Sequence, residues 1–268
     1  MKLNILMDNH TEIDVYYLGE PAVSYWIETE GKAFLFDAGY SDAFLKNAKD
    51  MGIDVTKAEA VLLSHSHNDH TGGLKPLLEL DFAKKPQFIA HPDALLPHDW
   101  NGMDIGSPVS AVELSEKFEL KLGKEPVWLT KKLVWLGEIP HTLDFEPAYA
   151  IGTVEKDGEK QEDYMIDDTA LAYVGEKGLS IITGCSHAGI LAEEVFYRTG
   201  GLAVINPIFF PGFMLNTRPI TMTSALERVP GLGKTILTQN HVGEGDLLII
   251  HSVSGRNNVP VEMAMSSR

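Results

Sequence analysis

Short apolar runs separated by polar turns predict a series of strands along the first third of the chain. Each run is mostly apolar and is bounded by polar or glycine-containing segments, which is typical of buried strands. The predicted strands cover residues 3–7, 23–27, 33–36, 60–63 and 87–90. The polar turn over 28–32 joins the second and third of them as a hairpin.

Two stretches between these strands have the residue spacing of helices. Apolar residues between 44 and 51 fall on one face behind Ser41, and Gly52 is placed to end that helix. Leu74, Leu77 and Leu78 repeat the spacing further along. The loop after the strand 60–63 therefore lies between a strand and a helix. In open α/β sheets, this carboxyl end of a strand is where sites usually lie.

The rest of the chain shows weaker versions of the same pattern. It predicts strands over 127–129, 133–136, 170–174, 179–183, 202–205, 235–238 and 259–263. Residues 97–110 are rich in Pro, Gly, Asp and Ser and predict a loop. The charged stretch 155–163 predicts a solvated loop or a hairpin tip. Trp128 and Trp135 are expected to pack in the core.

The composition is that of a globular protein, and the length of 268 residues suits a single domain over 1–268. The formal charge of −16 argues against nucleic-acid partners and against anionic membranes, so we expect a small-molecule substrate. The single cysteine, Cys185, excludes an intramolecular disulfide and fits a reducing compartment. Without a signal-peptide pattern or a membrane-length apolar run, we expect a cytoplasmic protein; its oligomeric state stays open.

The stretch His-Ser-His-Asn-Asp-His at 65–70 carries the strongest chemical signal. His65 and His67 are two residues apart, so an extended backbone turns both imidazoles to the same side, and Asp69 and His70 follow directly. Imidazoles suit zinc, iron and related ions, and a carboxylate adds an oxygen ligand. Four such side chains within six positions predict a metal site. The alternative is a polar loop in which Asp69 caps the next helix.

Four stretches of the sequence resemble one known family. They are AFLFDAG at 33–39, LSHSHNDHTGGL at 63–74, GEIPH at 137–141 and ITGCSHAGI at 182–190. Together they resemble the metallo-β-lactamase superfamily, and within it the branch of metal-dependent hydrolases related to a dihydropterin-phosphate synthase of methanopterin biosynthesis. The resemblance extends to about residue 190, and the remaining stretch matches less well.

The resemblance implies an α/β fold, the four-layer αββα metallo-β-lactamase sandwich, in which two mixed sheets face each other with helices outside. It also implies two divalent transition-metal ions, zinc foremost, with iron or manganese as alternatives. In the pattern that this resemblance implies, His65 and His67 would hold one ion, and Asp69 and His70 would hold the second. His187 and His241 would complete the two ligand shells.

Several further residues stay open between two roles. Cys185 stands where a typical family member has an Asp that bridges two metals, and it is either a ligand or a small apolar residue. Asp168 is either a metal ligand, a residue that orients a ligating His, or a turn carboxylate. Asp37 matches an acidic residue that supports the metal loop. His91 is expected in a loop, where it could face the substrate, and His141 could be a ligand, a substrate contact or a loop residue.

The resemblance implies a metal-dependent hydrolase that uses a metal-bound hydroxide on an ester, phosphoester or amide-type small molecule. Asp69 is both a candidate ligand and the candidate catalytic group that orients or deprotonates the water. Two alternatives remain, a pterin-phosphate synthase-like enzyme and a metal-binding protein without turnover. The second is kept because Met214 stands where the branch commonly has a histidine, and because Cys185 replaces the usual Asp.

Overall fold

The structure is a computed structural model that describes residues 1–9, 11, 16–139, 150–176, 178–187, 225–240, 248, 250 and 257–266. The chain divides into two compact units, Met1–Gly201 and Leu202–Arg268, and each is described by itself. The expectation of one domain over 1–268 stays a prediction. None of the helices in the described part of the chain has the length and apolar character that a membrane crossing requires.

The described residues of the first unit form fourteen strands, four α-helices and two short 3-10 turns at Val55–Lys57 and Pro92–Leu95. The strands are β1 Lys2–Met7, β2 Ser24–Thr29, β3 Lys32–Phe36, β4 Ala60–Leu62, β5 Gln87–Ala90, β6 His98–Trp100, β7 Met103–Asp104, β8 Glu119–Leu122, β9 Val127–Trp128, β10 Leu133–Trp135, β11 Thr153–Lys156, β12 Glu159–Glu162, β13 Ala170–Gly175 and β14 Gly178–Thr183. The helices are α1 Ala43–Asp50, α2 Asn68–Thr71, α3 Leu74–Leu78 and α4 Ala111–Lys117.

The largest sheet has six strands in the order β1-β2-β3-β4-β5-β8. Its first three strands are antiparallel, and β3, β4, β5 and β8 run parallel to one another. Phe36 is level with Leu62, and Leu62 is level with Ile89. Because parallel strands end at the same edge, the residues that follow them, including Asp37, the 63–70 loop and His91, emerge side by side.

A second sheet, in the order β14-β13-β10-β9, packs against the first. One buried apolar cluster contains residues of both sheets: Phe36, Leu62, Ile89, Leu133, Trp135, Leu171 and Ile182 among them. Another cluster fills the opposite face of the first sheet and includes Phe44 of α1, Leu74 and Leu77 of α3, and Leu114 of α4. The structure therefore has two facing sheets with helices outside the first, which confirms the α/β fold class.

A small third sheet, in the order β12-β11-β6-β7, joins two hairpins. Residues 97–110 were expected to form a loop, and this was wrong, because β6 and β7 lie within them and β6 pairs with β11. The turn between them is Asn101-Gly102, with both residues at positive φ (55° and 85°), which is a strong hairpin signal hidden by the polar composition. The stretch 155–163 forms the expected hairpin tip, again with positive φ at Asp157 and Gly158.

Trp135 is fully buried, as expected, whereas Trp128 is 60 % exposed, so the expectation of core packing for Trp128 was wrong. Successive strand residues point to opposite faces. Val127 is the cross-strand partner of the buried Trp135, and Trp128 therefore points to the other face of the sheet.

The described residues of the second unit form two helices, α5 Leu232–Gln239 and α6 Asn258–Ser266. The strands expected over 235–238 and 259–263 were therefore wrong. A short apolar run is compatible with a buried helix as well as with a strand. Here, contacts between the two segments accompany the helical conformation. The Glu262 carboxylate accepts the backbone N–H groups of Gly231 and Gly233 at the start of α5, and Gly233 lies too close to the Val259 carbonyl for a Cβ.

Candidate metal centre

The loop that follows β4 carries the His-Ser-His-Asn-Asp-His stretch into the fold. It runs extended to His67, and α2 begins at Asn68. Asp69 lies in the first turn of α2, and His67 occupies the N-cap position without a capping hydrogen bond. The reading of Asp69 as the helix cap was therefore wrong. The Gly72-Gly73 turn packs so closely on the carbonyls of Tyr40 and Ala38 that neither glycine has room for a Cβ.

Asp37 supports this loop from beneath. Its buried carboxylate accepts hydrogen bonds from the Ser64 N–H (2.7 Å), the Ser64 hydroxyl (2.7 Å) and His70 Nδ1 (2.7 Å). Nδ1 of His70 donates to Asp37, so in the neutral ring, the form that binds a metal, the other nitrogen, Nε2, carries the lone pair. That Nε2 lies 3.1 Å from Cys185 Sγ and 3.4 Å from an Asp69 oxygen.

His65, His67 and His187 form a compact triangle of imidazoles. Their ring centroids are 4.8 Å apart for His65 and His67, and 4.9 Å for each pair that includes His187. The Nε2 atom of each ring is buried and has no hydrogen-bond partner. A buried polar atom without a partner costs about 1–3 kcal/mol. Three such atoms in one cluster fit a metal ion, since imidazole nitrogen is a preferred zinc ligand.

The donor atoms fall into three overlapping sets, and within each set all atoms lie within 4.8 Å of one another. The sets are His65 with His67 and Asp69, His65 with Cys185 and His187, and Asp69 with His70 and Cys185. The structure thus brings six of the predicted metal residues together. Their role as ligands stays a prediction. His241, His141 and Met214 lie outside the described residues.

The donor residues of the candidate site follow strands of the first and the second sheet. Cys185 and His187 follow β14 of the second sheet, whereas the other donors follow β4 of the first. Two hydrogen bonds hold these parts together, from Thr169 N–H to the Ser64 carbonyl (2.9 Å) and from Trp135 Nε1 to the Leu63 carbonyl (3.0 Å). Gly184 packs against the Ser64 side chain with no space for a Cβ.

Burial and mutual repulsion keep three of the histidines neutral. The pKa of His65 lies well below its ordinary value because of burial and because a charge on His65 would be repelled by any charge on His70, His67 or His187. Burial, followed by the charge of His187, lowers the pKa of His67 to about 4. Burial also lowers the pKa of His187. Neutral imidazoles are the form that binds metals, so these shifts suit the predicted role.

The pKa of His70 shifts in the opposite direction to those of its neighbours. Burial lowers its pKa, but the charge of Asp37 and hydrogen bonds to Asp37, Asp69 and Cys185 raise it well above the ordinary value. Asp69, whose pKa falls through its contact with His70 despite burial, is an anion at neutral pH.

Two other predicted residues lie beside the donor sets. An Asp168 oxygen is 3.9 Å from His65 Nδ1, behind the ring, and Asp168 is buried, which places it to orient His65. His91 lies in a loop, as expected, and it is buried. Its Nδ1 accepts the Asp93 N–H, and its Nε2 lies 2.9 Å from Glu138, so both ring nitrogens are engaged.

The sequence reasoning missed the buried pair His98 and Asp163. His98 Nδ1 lies 2.6 Å from Asp163, and its Nε2 donates to the Asp93 carbonyl at 3.2 Å. Burial lowers the pKa of His98, but the contact with Asp163 outweighs it and raises that pKa. Asp163 also accepts the Met165 N–H and so fixes the turn that leads to Asp168. No local motif signals this pair, because 65 residues separate its members.

The chain is similar to a known protein family and to proteins of known structure. The family model of the metallo-β-lactamase superfamily matches residues 18–152. The chain belongs to the metallo-β-lactamase superfamily. A crystal structure of Tm1679, a metal-dependent hydrolase of the β-lactamase superfamily, is similar with a TM-score of 0.59 and 29 % sequence identity. The match covers 70 % of this chain and 66 % of that one.

A second family model, that of the SIS domain, matches residues 160–268. Curated relatives include a UPF0309 protein of Shouchella clausii, 58 % identical over 85 residues, and one of Oceanobacillus iheyensis, 44 % identical over 119 residues. These matches cover 32 % and 44 % of this chain, and 35 % and 48 % of the relatives. The chain thus spans between a third and a half of the length of these relatives.

The range matched by the SIS model includes residues that lie in the candidate metal centre. β13 pairs with β10, from Leu133 opposite Tyr173 to Trp135 opposite Leu171. The ring of His187 lies against those of His65 and His67. Strand pairing and ring contacts are direct evidence of position. We therefore assign the described residues up to 187 to the metallo-β-lactamase part of this superfamily member.

Proposed function

We propose that the chain is a metal-dependent hydrolase that binds up to two divalent transition-metal ions, zinc foremost. The observation that carries the proposal is the triangle of His65, His67 and His187 with three buried, unpartnered Nε2 atoms. These three residues would hold one ion. Asp69 and His70 would hold the second. The similarity to a metal-dependent hydrolase of known structure supports the same reading.

When bound, such ions lower the pKa of a coordinated water to about 7 and polarise a substrate carbonyl or phosphoryl group. The chain's own residues prepare the site for this chemistry. Asp37 fixes the ring of His70 so that Nε2 faces the site. The Ser64 hydroxyl lies 2.9 Å from Nδ1 of His65, and an Asp168 oxygen lies 3.9 Å from the same atom, on the side of the ring away from Nε2.

Asp69 is the residue we propose for proton handling. Its side chain is 29 % exposed, in contrast to the fully buried His70 beside it, so it faces both the donor cluster and solvent. Its lowered pKa keeps it ionised at neutral pH. An ionised carboxylate in this position can orient a water or accept its proton.

The substrate class we propose is an ester, phosphoester or amide-type small molecule in the cytoplasm. The net charge of −16 supports a small-molecule partner over nucleic acid or an anionic membrane. A site with cationic metal ions still accepts a small anionic substrate, because bound cations reverse the local field.

Elemental analysis of protein purified without chelator, followed by assays on phosphoesters, lactones and thioesters, tests the proposal. We expect metal to co-purify, and His67→Ala to lower metal content and hydrolysis together. Less than about a tenth of an equivalent of metal, even after reconstitution, would refute it. Metal content without any turnover would favour a binding protein, and turnover only of pterin and ribosyl-phosphate substrates would favour the synthase alternative.

A further inference from the structure

The sulfur of Cys185 is the donor atom shared by the two halves of the metal centre. It lies within 4.8 Å of the donor atoms of His65 and His187, and it also lies within 4.8 Å of those of Asp69 and His70. The closest of these contacts is 3.1 Å, to His70 Nε2. Two of the three donor sets contain Cys185, and in each of them this one sulfur is the third donor.

We propose that the Cys185 thiolate bridges two metal ions, one held with His65 and His187 and the other with Asp69 and His70. This inference rests on the proposed function, since it requires that the site binds metal. It goes further by assigning the bridging position and the kind of ion that the site selects.

Bond lengths allow a single sulfur to touch both ions. Zinc–sulfur bonds are about 2.3 Å long, so one sulfur can join ions up to about 4.6 Å apart. Paired catalytic ions lie about 3.5–4 Å apart, which is within that reach. A carboxylate such as Asp69 can bridge two ions with one oxygen on each. A thiolate has a single donor atom, so a Cys185 that is a ligand in both donor sets contacts both ions with its sulfur.

The exposure of Cys185 argues against the alternative role of a small apolar packing residue. Cysteines with a packing role are among the most buried residues, whereas Cys185 is exposed. Its position is nevertheless fixed, because Gly184 packs against Ser64 without room for a Cβ and Ser186 adopts a positive φ of 57°. The thiol is thus held at the mouth of the site and against the donor cluster.

A bridging thiolate would set the metal preference of the site. Soft thiolate ligands favour zinc and similar ions, whereas manganese and magnesium prefer oxygen donors. We therefore expect zinc, cobalt and cadmium to bind as pairs and manganese to compete poorly. The thiolate also contributes one negative charge, beside that of Asp69, toward the positive charge of two ions.

Cobalt titration of the chelator-treated full chain tests the bridge without relying on activity. Cys185 is the only cysteine, so a sulfur-to-cobalt charge-transfer band can come from no other thiol. The bridge predicts that this band continues to grow with the second equivalent of Co(II), and that the electron paramagnetic resonance signal weakens as the two ions couple. A band that is complete at one equivalent, with uncoupled signals, overturns the bridge.

Variants separate the role of the sulfur from that of the fold. Cys185→Ala should weaken binding of the second ion by about 10²-fold. Cys185→Asp should restore two equivalents without the band. If Cys185→Ala keeps both ions at wild-type affinity, the bridge is overturned even though the hydrolase proposal stands. If the wild-type chain takes up no metal at all, both proposals fall.

Protection of the thiol provides a second measurement that does not depend on activity. Zinc should slow the reaction of Cys185 with a disulfide reagent by at least about 10-fold, because a bound thiolate is a poor nucleophile. The matched control is Val112→Cys in a Cys185→Ser background, since Val112 is 74 % exposed on α4. Its thiol should react at the same rate with or without zinc. Equal rates for Cys185 with and without zinc, in protein that has bound zinc, would contradict the bridge.

Discussion

Replacing Asp37 by asparagine removes one negative charge and reverses one hydrogen bond at the base of the metal centre. The carboxylate accepts three hydrogen bonds in the wild-type protein, from the N–H and hydroxyl of Ser64 and from Nδ1 of His70. The amide can keep the bond from the Ser64 N–H. Where its NH₂ group faces His70, however, two donors meet, and His70 relieves the conflict by moving its proton to Nε2.

The expected cost follows from these contacts. A hydrogen bond to a charged group contributes about 1.5–3 kcal/mol, so we expect Asp37→Asn to lower the free energy of unfolding by about that amount. A proton on His70 Nε2 also blocks the lone pair that faces Cys185 and Asp69. Substitution of a residue that orients a ligand typically weakens metal binding about 10–100-fold, and we expect that range here.

Two measurements on purified protein check this prediction, the affinity for zinc in a competition titration and the urea midpoint of chelator-treated protein. Asp42→Asn is the matched control, because Asp42 is an exposed carboxylate close by that pairs with Lys46 at 3.0 Å. Its loss should change stability by less than about 0.5 kcal/mol. Zinc affinity equal to wild type in Asp37→Asn would refute the role we assign to the carboxylate.

Three further predictions concern the donor residues themselves. His187→Ala should lose about one metal equivalent with the circular dichroism spectrum unchanged, and unaltered metal content would move His187 to a structural role. Asp69→Asn should lower the rate of hydrolysis about 10²-fold and release one ion, whereas a helix-capping aspartate would tolerate asparagine. A variant with the wild-type rate and wild-type metal content would contradict coordination by Asp69. The lowered pKa of His67, about 4 against an ordinary 6.5, means that the folded state binds fewer protons than the unfolded chain between these values. The urea midpoint of chelator-treated protein should therefore fall as pH drops through that window, and the fall should be smaller in His67→Gln.

The metal loop could be predicted because its donors are local in the sequence. His65, His67, Asp69 and His70 share six positions, and the strand before them shows plainly in its apolar run. His187 was accessible only through the resemblance of its motif. Its contact with His65 depends on the pairing of the two sheets, which no local spacing reveals.

The partners of the buried histidines His91 and His98 could not be predicted, because these contacts join segments that are far apart in the sequence. His91 is paired with Glu138 across 47 residues, and His98 with Asp163 across 65. The hairpin at Asn101-Gly102 was predictable in principle from its turn residues. The helix Leu232–Gln239 was not, since a short apolar run is equally compatible with a strand.

Because the candidate donors come from two different sheets, ions bound there would form a reversible cross-link. One set of donors follows β4 and the other follows β14, so an ion held by both would oppose separation of the sheets. A ligand at a hundred times its dissociation constant stabilises the folded state by about 2.7 kcal/mol. Amide hydrogen exchange in β4 and β14 should therefore slow when zinc is added. In a cell, the lifetime of this chain against proteolysis would then follow the supply of the ion.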